Sequence, residues 1–519
     1  MPTLFYLRSG TSLLLTGLLC NIFFDASSQI QTASSSLKTW VLNDAGQIKV
    51  PPPPGKEQTQ KEIAAIKEKI SKRNEKILHQ IQYWDAGSPA YRWNEIAYNM
   101  TTFQNFGTFL RAPMAWMNMA INDATAAAWK AKYSYQRKRP FQFDPLLKPV
   151  VTSPATPSYP CEHSVTAAAA ANVLAYFFPE AADSILKLGK EAAQSRIYAG
   201  VQFPSDVEDG WKLGEQVAAL VIEQAKKDGS DIQWKGTMHN DPKLWKGDYP
   251  VGITVASFKP LVLKSANQFR PPAPPDFSND MKALKNFKRN FMSDHLALSW
   301  HNLTGMDFWT ELASKKMFEL DLDKNAPACA HIYTVLHVTI HDAAIAIMDA
   351  KYAYWGIRPF QYDTTFTPLF ETPPFPGYPS GHATASSAAA TVLTYFFPAD
   401  EELFKSKAKE CADSRFYAGI HFQTDNAGRK RTDMGDPGIR RTRGPGQRSR
   451  RHALTRGKAV AGNRHAGCIA AQTSPARRTH NRNDGGRQAS NSRPYPAHRQ
   501  KSHRAAGGAR HASGQANRE

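Results

Sequence analysis

The chain has 519 residues, enough for two or three domains, and a hydrophobic content of 41% supplies a sizeable buried core. Its net charge of +20 is concentrated at one end: residues 426–519 hold 22 Lys and Arg against 4 Asp and Glu, and the preceding residues hold 43 against 41. A nearly neutral body excludes overall charge as a nucleic-acid signal, and five scattered cysteines exclude a disulfide framework or a zinc spacing.

Residues 1–28 read as an export signal: Arg8 is the positive flank, 11–24 the apolar stretch, and Ala26-Ser27-Ser28 a small-residue cleavage site. The stretch is shorter than the roughly 20 residues that span a bilayer. Cys20 could carry a lipid anchor, but Leu19 is a poor residue before it, so cleavage near Ser28 is expected. No other stretch reads as a membrane span, and the expectation is an exported protein, periplasmic or secreted, without stable membrane insertion. Residues 29–87 hold a linker ending in Pro51-Pro52-Pro53-Pro54-Gly55 and one amphipathic helix over 57–83. Residues 88–227 read as a first helical bundle, 228–285 as an irregular connection rich in Trp, Gly and Pro, and 286–428 as a second bundle. The fold class is therefore all-α. Residues 429–519 are rich in Arg, Gly, Ala and Ser and nearly lack Phe, Ile and Leu, so a disordered basic tail is expected. Cys161, Cys329 and Cys411 are expected as buried small hydrophobes; Cys20 and Cys468 fall in the signal and the tail.

The two bundles repeat each other. Ile121-Asn122-Asp123-Ala124 recurs as Ile340-His341-Asp342-Ala343, an offset of 219 residues. The same offset relates Lys132 to Lys351, Arg139 to Arg358, Pro160 to Pro379, His163 to His382, Arg196 to Arg415 and Asp206 to Asp425. Two homologous bundles packed together are the natural product of such a repeat.

Three clusters in the second repeat carry chemistry. Lys351 and Arg358-Pro359 are about two helical turns apart, so both cations are expected on one face, where they either flank an anion or form a solvated basic patch. Tyr378-Pro379-Ser380-Gly381-His382 reads as a tight turn feeding a helix N-terminus. Free N–H groups there favour an anion, Ser380 can donate, and Gly381 allows close approach; an ordinary cap would look the same. Arg415 is followed by Gly419, which suggests a helix end, and then by His421 and Asp425. At i and i+4 the carboxylate can fix the imidazole tautomer, leaving the other nitrogen as nucleophile or ligand, although a surface pair is also compatible. Together the clusters suit the grip of a tetrahedral oxyanion.

The series Lys-x6-Arg-Pro, Pro-Ser-Gly-His, Ser-Arg-x5-His-x3-Asp resembles the superfamily of type 2 phosphatidic acid phosphatases and vanadium-dependent haloperoxidases, over roughly residues 90–425. The resemblance implies an all-helical bundle, duplicated in the haloperoxidases. It implies that Lys351, Arg358, Ser380, Gly381 and Arg415 bind the oxyanion, that His382 is the general acid, and that Asp425 orients His421. His421 would attack phosphorus in a phosphatase or ligate vanadium in a haloperoxidase. The implied readings are a haloperoxidase holding vanadate as cofactor and acting on peroxide and halide, or an acid phosphatase that passes a phosphoester through a phosphohistidine without a cofactor. A non-catalytic oxyanion-binding scaffold is the third.

The first repeat keeps Lys132, Arg139, His163, Arg196 and Asp206, but Cys161, Glu162 and Gln202 stand at the places of Ser380, Gly381 and His421. It reads as a structural, inactive copy, or as an altered site in which Glu162 pairs with Arg139 or Lys132. After Asp206 an amphipathic helix continues, whereas after Asp425 the helical pattern stops. A shift of reading frame within a few codons of Asn426 is the expectation. A genuine basic tail for nucleic acid or anionic surfaces is the competing one.

Overall fold

The computed structural model describes residues 37–103, 112–302 and 305–427. The export signal, the Arg-rich tail and the frame shift lie outside these residues.

The chain enters through an irregular strap and forms α1 (Lys56–Ser71) and α2 (Glu75–Asp85), where one helix over 57–83 was expected. The break has local causes: Arg73 Nε donates to the Tyr198 carbonyl at 2.6 Å, and the Asn74 side chain caps α2 by accepting from the Ile77 amide at 3.0 Å. Then follow α3 (Tyr91–Phe103), α4 (Ala112–Tyr135), the single turn α5 (Pro140–Phe143), α6 (Glu162–Phe177), α7 (Ala182–Ala199) and α8 (Pro204–Ala225). A second irregular stretch leads to α9 (Ser278–Asn286), α10 (Phe291–Asn302), α11 (Gly305–Glu319), α12 (Ala326–Tyr354), α13 (Pro359–Tyr362), α14 (Gly381–Phe396), α15 (Glu401–Tyr417) and α16 (Gln423–Ala427). The described residues form no strand beyond an isolated bridge between Leu244 and Gly356.

Helices α4 and α12 are buried along most of their length and pack on each other at the centre. The Thr334 hydroxyl donates to the Asn118 carbonyl at 2.8 Å across this contact. One apolar core runs through it, from Trp93 and Ile121 to Leu336 and Leu393. By length and composition α12 could cross a bilayer, which the sequence reading did not anticipate, but 78% of its most apolar window is buried in protein. Cys161, Cys329 and Cys411 are free and buried, as expected of small hydrophobes.

The straps are docked rather than loose. Asp123 of α4 accepts from the amides of Trp40, Val41 and Leu42 at 2.7–2.9 Å, and Asp342 of α12 does the same for Leu261, Val262 and Leu263 at 2.7–2.8 Å. A buried carboxylate thus satisfies three amides that have no ladder partner. The Tyr159 hydroxyl donates to the Pro51 carbonyl, and Tyr378 donates to that of Pro272.

Helices α6 and α8 approach closely because α8 carries glycine where they cross. A Cβ on Gly214 would lie 2.3 Å from the Val165 carbonyl, and one on Gly210 would lie 2.9 Å from that of Cys161. Among the described residues α16, which begins like α8, ends at Ala427.

Candidate active site

Lys351 and Arg358 do not share a helix face. Helix α12 ends at Tyr354, Trp355 takes a left-handed φ of 48°, and Arg358 precedes α13 in extended backbone. The chain reversal brings both side chains into one buried space. Lys351 Nζ donates to the carbonyls of Pro376 at 2.6 Å and Gly377 at 2.8 Å. Arg358 donates from Nε to the Phe375 carbonyl at 3.0 Å and from Nη1 to that of Ile420 at 2.7 Å; its Nη2 is buried without a partner. Phe375 lies under both cations, 5.1 Å from Lys351 and 5.2 Å from Arg358.

Helix α14 opens at this space. The Ser380 hydroxyl caps the Ala383 amide at 3.4 Å, and the amide of Gly381, first in the helix, has no intrahelical acceptor. A Cβ on Gly381 would meet only Ile347 Cγ2 at 3.9 Å, so the backbone faces open room. His382 is half-buried and contacts the Trp300 backbone.

Arg415 leaves the last turn of α15, donating from Nε to Ser414 Oγ at 3.0 Å and from Nη2 to the Ala297 carbonyl at 2.7 Å. Gly419 then turns the chain with a φ of 71°, so His421 lies in the connection to α16, not on a helix. His421 Nδ1 is 2.9 Å from Asp425 Oδ2, which also accepts from the Phe422 amide at 3.0 Å. Its Nε2 is 3.1 Å from Arg358 Nη1. A guanidinium only donates, so Nε2 presents its lone pair and Nδ1 carries the proton, given to Asp425. Arg358, His421 and Asp425 are thus in direct contact, and Lys351, His382 and Arg415 lie near enough to act electrostatically on His421.

Burial, reinforced by Arg358, holds the Lys351 ammonium well below its ordinary range. Burial lowers both Arg358 and Arg415 to about 10, so both remain cationic at neutral pH. His421 lies well below 6.5 through burial and then Arg358, and His382 through burial and then Arg415. Burial raises Asp425 to about 7 against the pull of Lys351 and Arg358. Among the described residues no carboxylate stands within 4 Å of Lys351, Arg358 or Arg415. Buried cations without carboxylates call for an anion.

The first bundle supplies that anion from its own chain. Glu162 reaches Lys132 at 2.7 Å, Arg139 at 3.1 Å and Gln202 Nε2 at 3.1 Å. Burial alone would raise its pKa, but Lys132 and Arg139 hold it low. Arg196 pairs with Asp85 at 2.6 Å, and Arg137 pairs with Asp206 at 2.7 Å. His163 is half-buried with both ring nitrogens unpartnered. In the second bundle Gly381 replaces Glu162, Gly356 stands at the offset position of Arg137, and Asp425 Oδ1 is left buried without a partner.

Sequence reading missed Phe375, Phe370 and His301. Arg196 Nη2 donates to the Ile81 carbonyl at 3.1 Å as Arg415 does to that of Ala297, and four residues further on stand Asp85 and His301. Trp84 and Trp300 are the available signal, since their indoles donate to Glu191 and Glu410, one repeat apart. That pair is 216 residues apart rather than 219, which hides it from a fixed-offset comparison.

Among solved structures, a bacterial vanadium-dependent iodoperoxidase is 21% identical, covering 74% of this chain and 96% of its own, with a TM-score of 0.49. A bacterial vanadium-dependent chloroperoxidase is 16% identical over 64% of this chain and 91% of its own, with a TM-score of 0.48. A non-specific acid phosphatase of Providencia stuartii is 37% identical over 102 residues, which is 18% of this chain; the match spans 38% of that relative's length. The PAP2 superfamily model matches residues 114–230 and 327–428, one segment in each bundle, so both bundles are similar to that superfamily.

Proposed function

We propose that the second bundle is an oxyanion enzyme site of the haloperoxidase type, in an exported protein, and that the first bundle is its degenerate, non-catalytic copy. The observation that carries the reading is the loss of carboxylates: Glu162 neutralises Lys132 and Arg139, whereas Gly381 leaves Lys351 and Arg358 unneutralised beside open room. Vanadate fits this donor set: Lys351, Arg358, Ser380, the Gly381 amide and Arg415 would hold its oxygens, and the lone pair on His421 Nε2 would face its centre. Bound there, it would supply a Lewis-acidic centre for oxidation of halide by peroxide. Two PAP2 segments in one chain support this reading, because duplication is what the resemblance attaches to haloperoxidases.

The acid phosphatase relative favours a second reading, phosphomonoester hydrolysis at the same residues. His421 Nε2 forms a bond to phosphorus, the bond to the ester oxygen breaks, and His382 gives its proton to the departing alkoxide. Water then breaks the N–P bond, returns a proton to His382 and leaves phosphate. In either reading the anion's charge raises the pKa of both histidines, so binding is coupled to proton uptake and strengthens towards acid pH.

Purified protein should be assayed with p-nitrophenyl phosphate, and separately with vanadate, peroxide and bromide or iodide. Halide oxidation that requires vanadate is the expected result. Phosphatase activity alone selects the second reading, and silence in both assays with phosphate still bound selects a scaffold. His421→Gln, which installs the residue found at Gln202, is expected to lower turnover by at least 10³-fold or so while the fold persists; retained turnover removes His421 from the mechanism.

A further inference from the structure

We propose that His301 is a positioning residue that keeps Arg415 available to the bound oxyanion, by placing a neutral ring where a carboxylate would claim the guanidinium. The inference rests on the oxyanion reading above and adds a residue that no motif contains. In the first bundle Arg196 is held from two sides, by the Ile81 carbonyl at 3.1 Å and by Asp85 at 2.6 Å. In the second, the Ala297 carbonyl keeps the first of these roles at 2.7 Å, and His301, one turn on, occupies the place of Asp85. An Arg–carboxylate pair is the stronger partnership, so the exchange removes a competitor for the same N–H groups.

The ring is fixed in that place. His301 stacks on Phe370 with centroids 4.0 Å apart and planes 26° apart, and the Arg415 guanidinium lies over the same ring at 5.6 Å. His301 and Arg415 thus share Phe370 at the rim of the site, and His301 is exposed there. Partial burial and then Arg415 lower the His301 pKa, which favours the uncharged ring at neutral pH. The neighbouring Trp300 indole is anchored to Glu410 at 3.1 Å, and the Trp300 backbone contacts His382. One turn of α10 therefore sets both the freedom of Arg415 and the orientation of His382.

The test compares H301D with H301N, which have nearly the same size and differ in charge, in the full chain at pH 7 with inorganic phosphate as the probe in calorimetry. The expected result is that H301D binds phosphate at least tenfold more weakly than H301N. In the active assay the difference should appear in KM rather than kcat. H301S removes the ring without adding charge and should group with H301N; if all three weaken equally, charge is not the cause and the proposal falls. H301E provides the same contrast should H301D fail to fold. Equal phosphate affinities of H301D and H301N, with wild-type binding intact, overturn the role of His301 alone. A wild-type chain that binds neither phosphate nor vanadate removes the oxyanion reading itself.

Discussion

His163 shows what the site motif costs where its ring has no hydrogen-bond partner. Both ring nitrogens are buried without partners, and burial, then Arg196, lowers the pKa to about 3. In the unfolded chain the same ring titrates near 6.5. A histidine whose folded pKa is depressed contributes stability that is present above the unfolded value and is lost as pH falls from about 6.5 towards about 3. Only the unfolded chain binds the proton in that window, so the slope is about 1.4 kcal/mol per pH unit for this one group. Urea unfolding of the wild type and His163→Gln between pH 6.5 and 4 should differ in slope by about that amount; superimposable slopes would show that the ring is protonated in the folded state. His382 and His421 lie below their ordinary range for the same reason, but a bound oxyanion reverses their shift. Added phosphate is therefore expected to flatten the acid limb of the wild type.

The elements around the site differ in one respect with a measurable consequence. Helix α8 lies against α4 and α6 and buries Trp211, Leu213, Val217 and Val221. In the second bundle an apolar recess is lined by Phe269 and Pro271 of the second irregular stretch, Ala346, Ile347 and Ala350 of α12, and Thr384 of α14. The described part of α16 ends at Ala427. Replacing residues 427–519 with residues 208–225 should lay a copy of α8 into the recess. Each large apolar side chain so buried is worth about 1.5–3 kcal/mol before ordering costs, and a rise in Tm of several degrees is the expected outcome. A graft that melts at or below the wild type would mean that the recess does not accept that helix. The recess and the site were unequally legible in the sequence. The motif residues could be named because chemistry fixes their types and spacing, and His421 and Asp425 do meet at 2.9 Å. The route was misread for Lys351 and Arg358, since nothing in Tyr354-Trp355-Gly356 announces a left-handed Trp355 rather than another helical turn. The straps read as linkers because Trp40–Leu42 and Leu261–Leu263 are 221 residues apart, outside the common offset, and because the buried carboxylates that dock them sit in distant helices.

Across the whole molecule, the two bundles share one apolar core through α4 and α12, yet they solve the same charge problem in opposite ways. The first carries its counter-ion covalently as Glu162, and the second, on the proposed reading, takes an anion from solution. An internal carboxylate has no translational entropy to lose, so it outcompetes free phosphate at any ordinary concentration. The native chain should therefore bind one phosphate, not two. Glu162→Gly makes the first bundle resemble the second and leaves Lys132 and Arg139 buried and unpaired. Breaking a buried pair from one side costs about 3–5 kcal/mol, so the variant should melt well below the wild type in phosphate-free buffer. Phosphate at 100 times its dissociation constant restores about 2.7 kcal/mol, and the variant should then regain much of the loss while calorimetry shows a second equivalent bound. If phosphate shifts the variant's Tm no more than the wild type's, and one equivalent remains the limit, Glu162 is not standing in for an oxyanion. The likeness between the two sites would then stop at sequence.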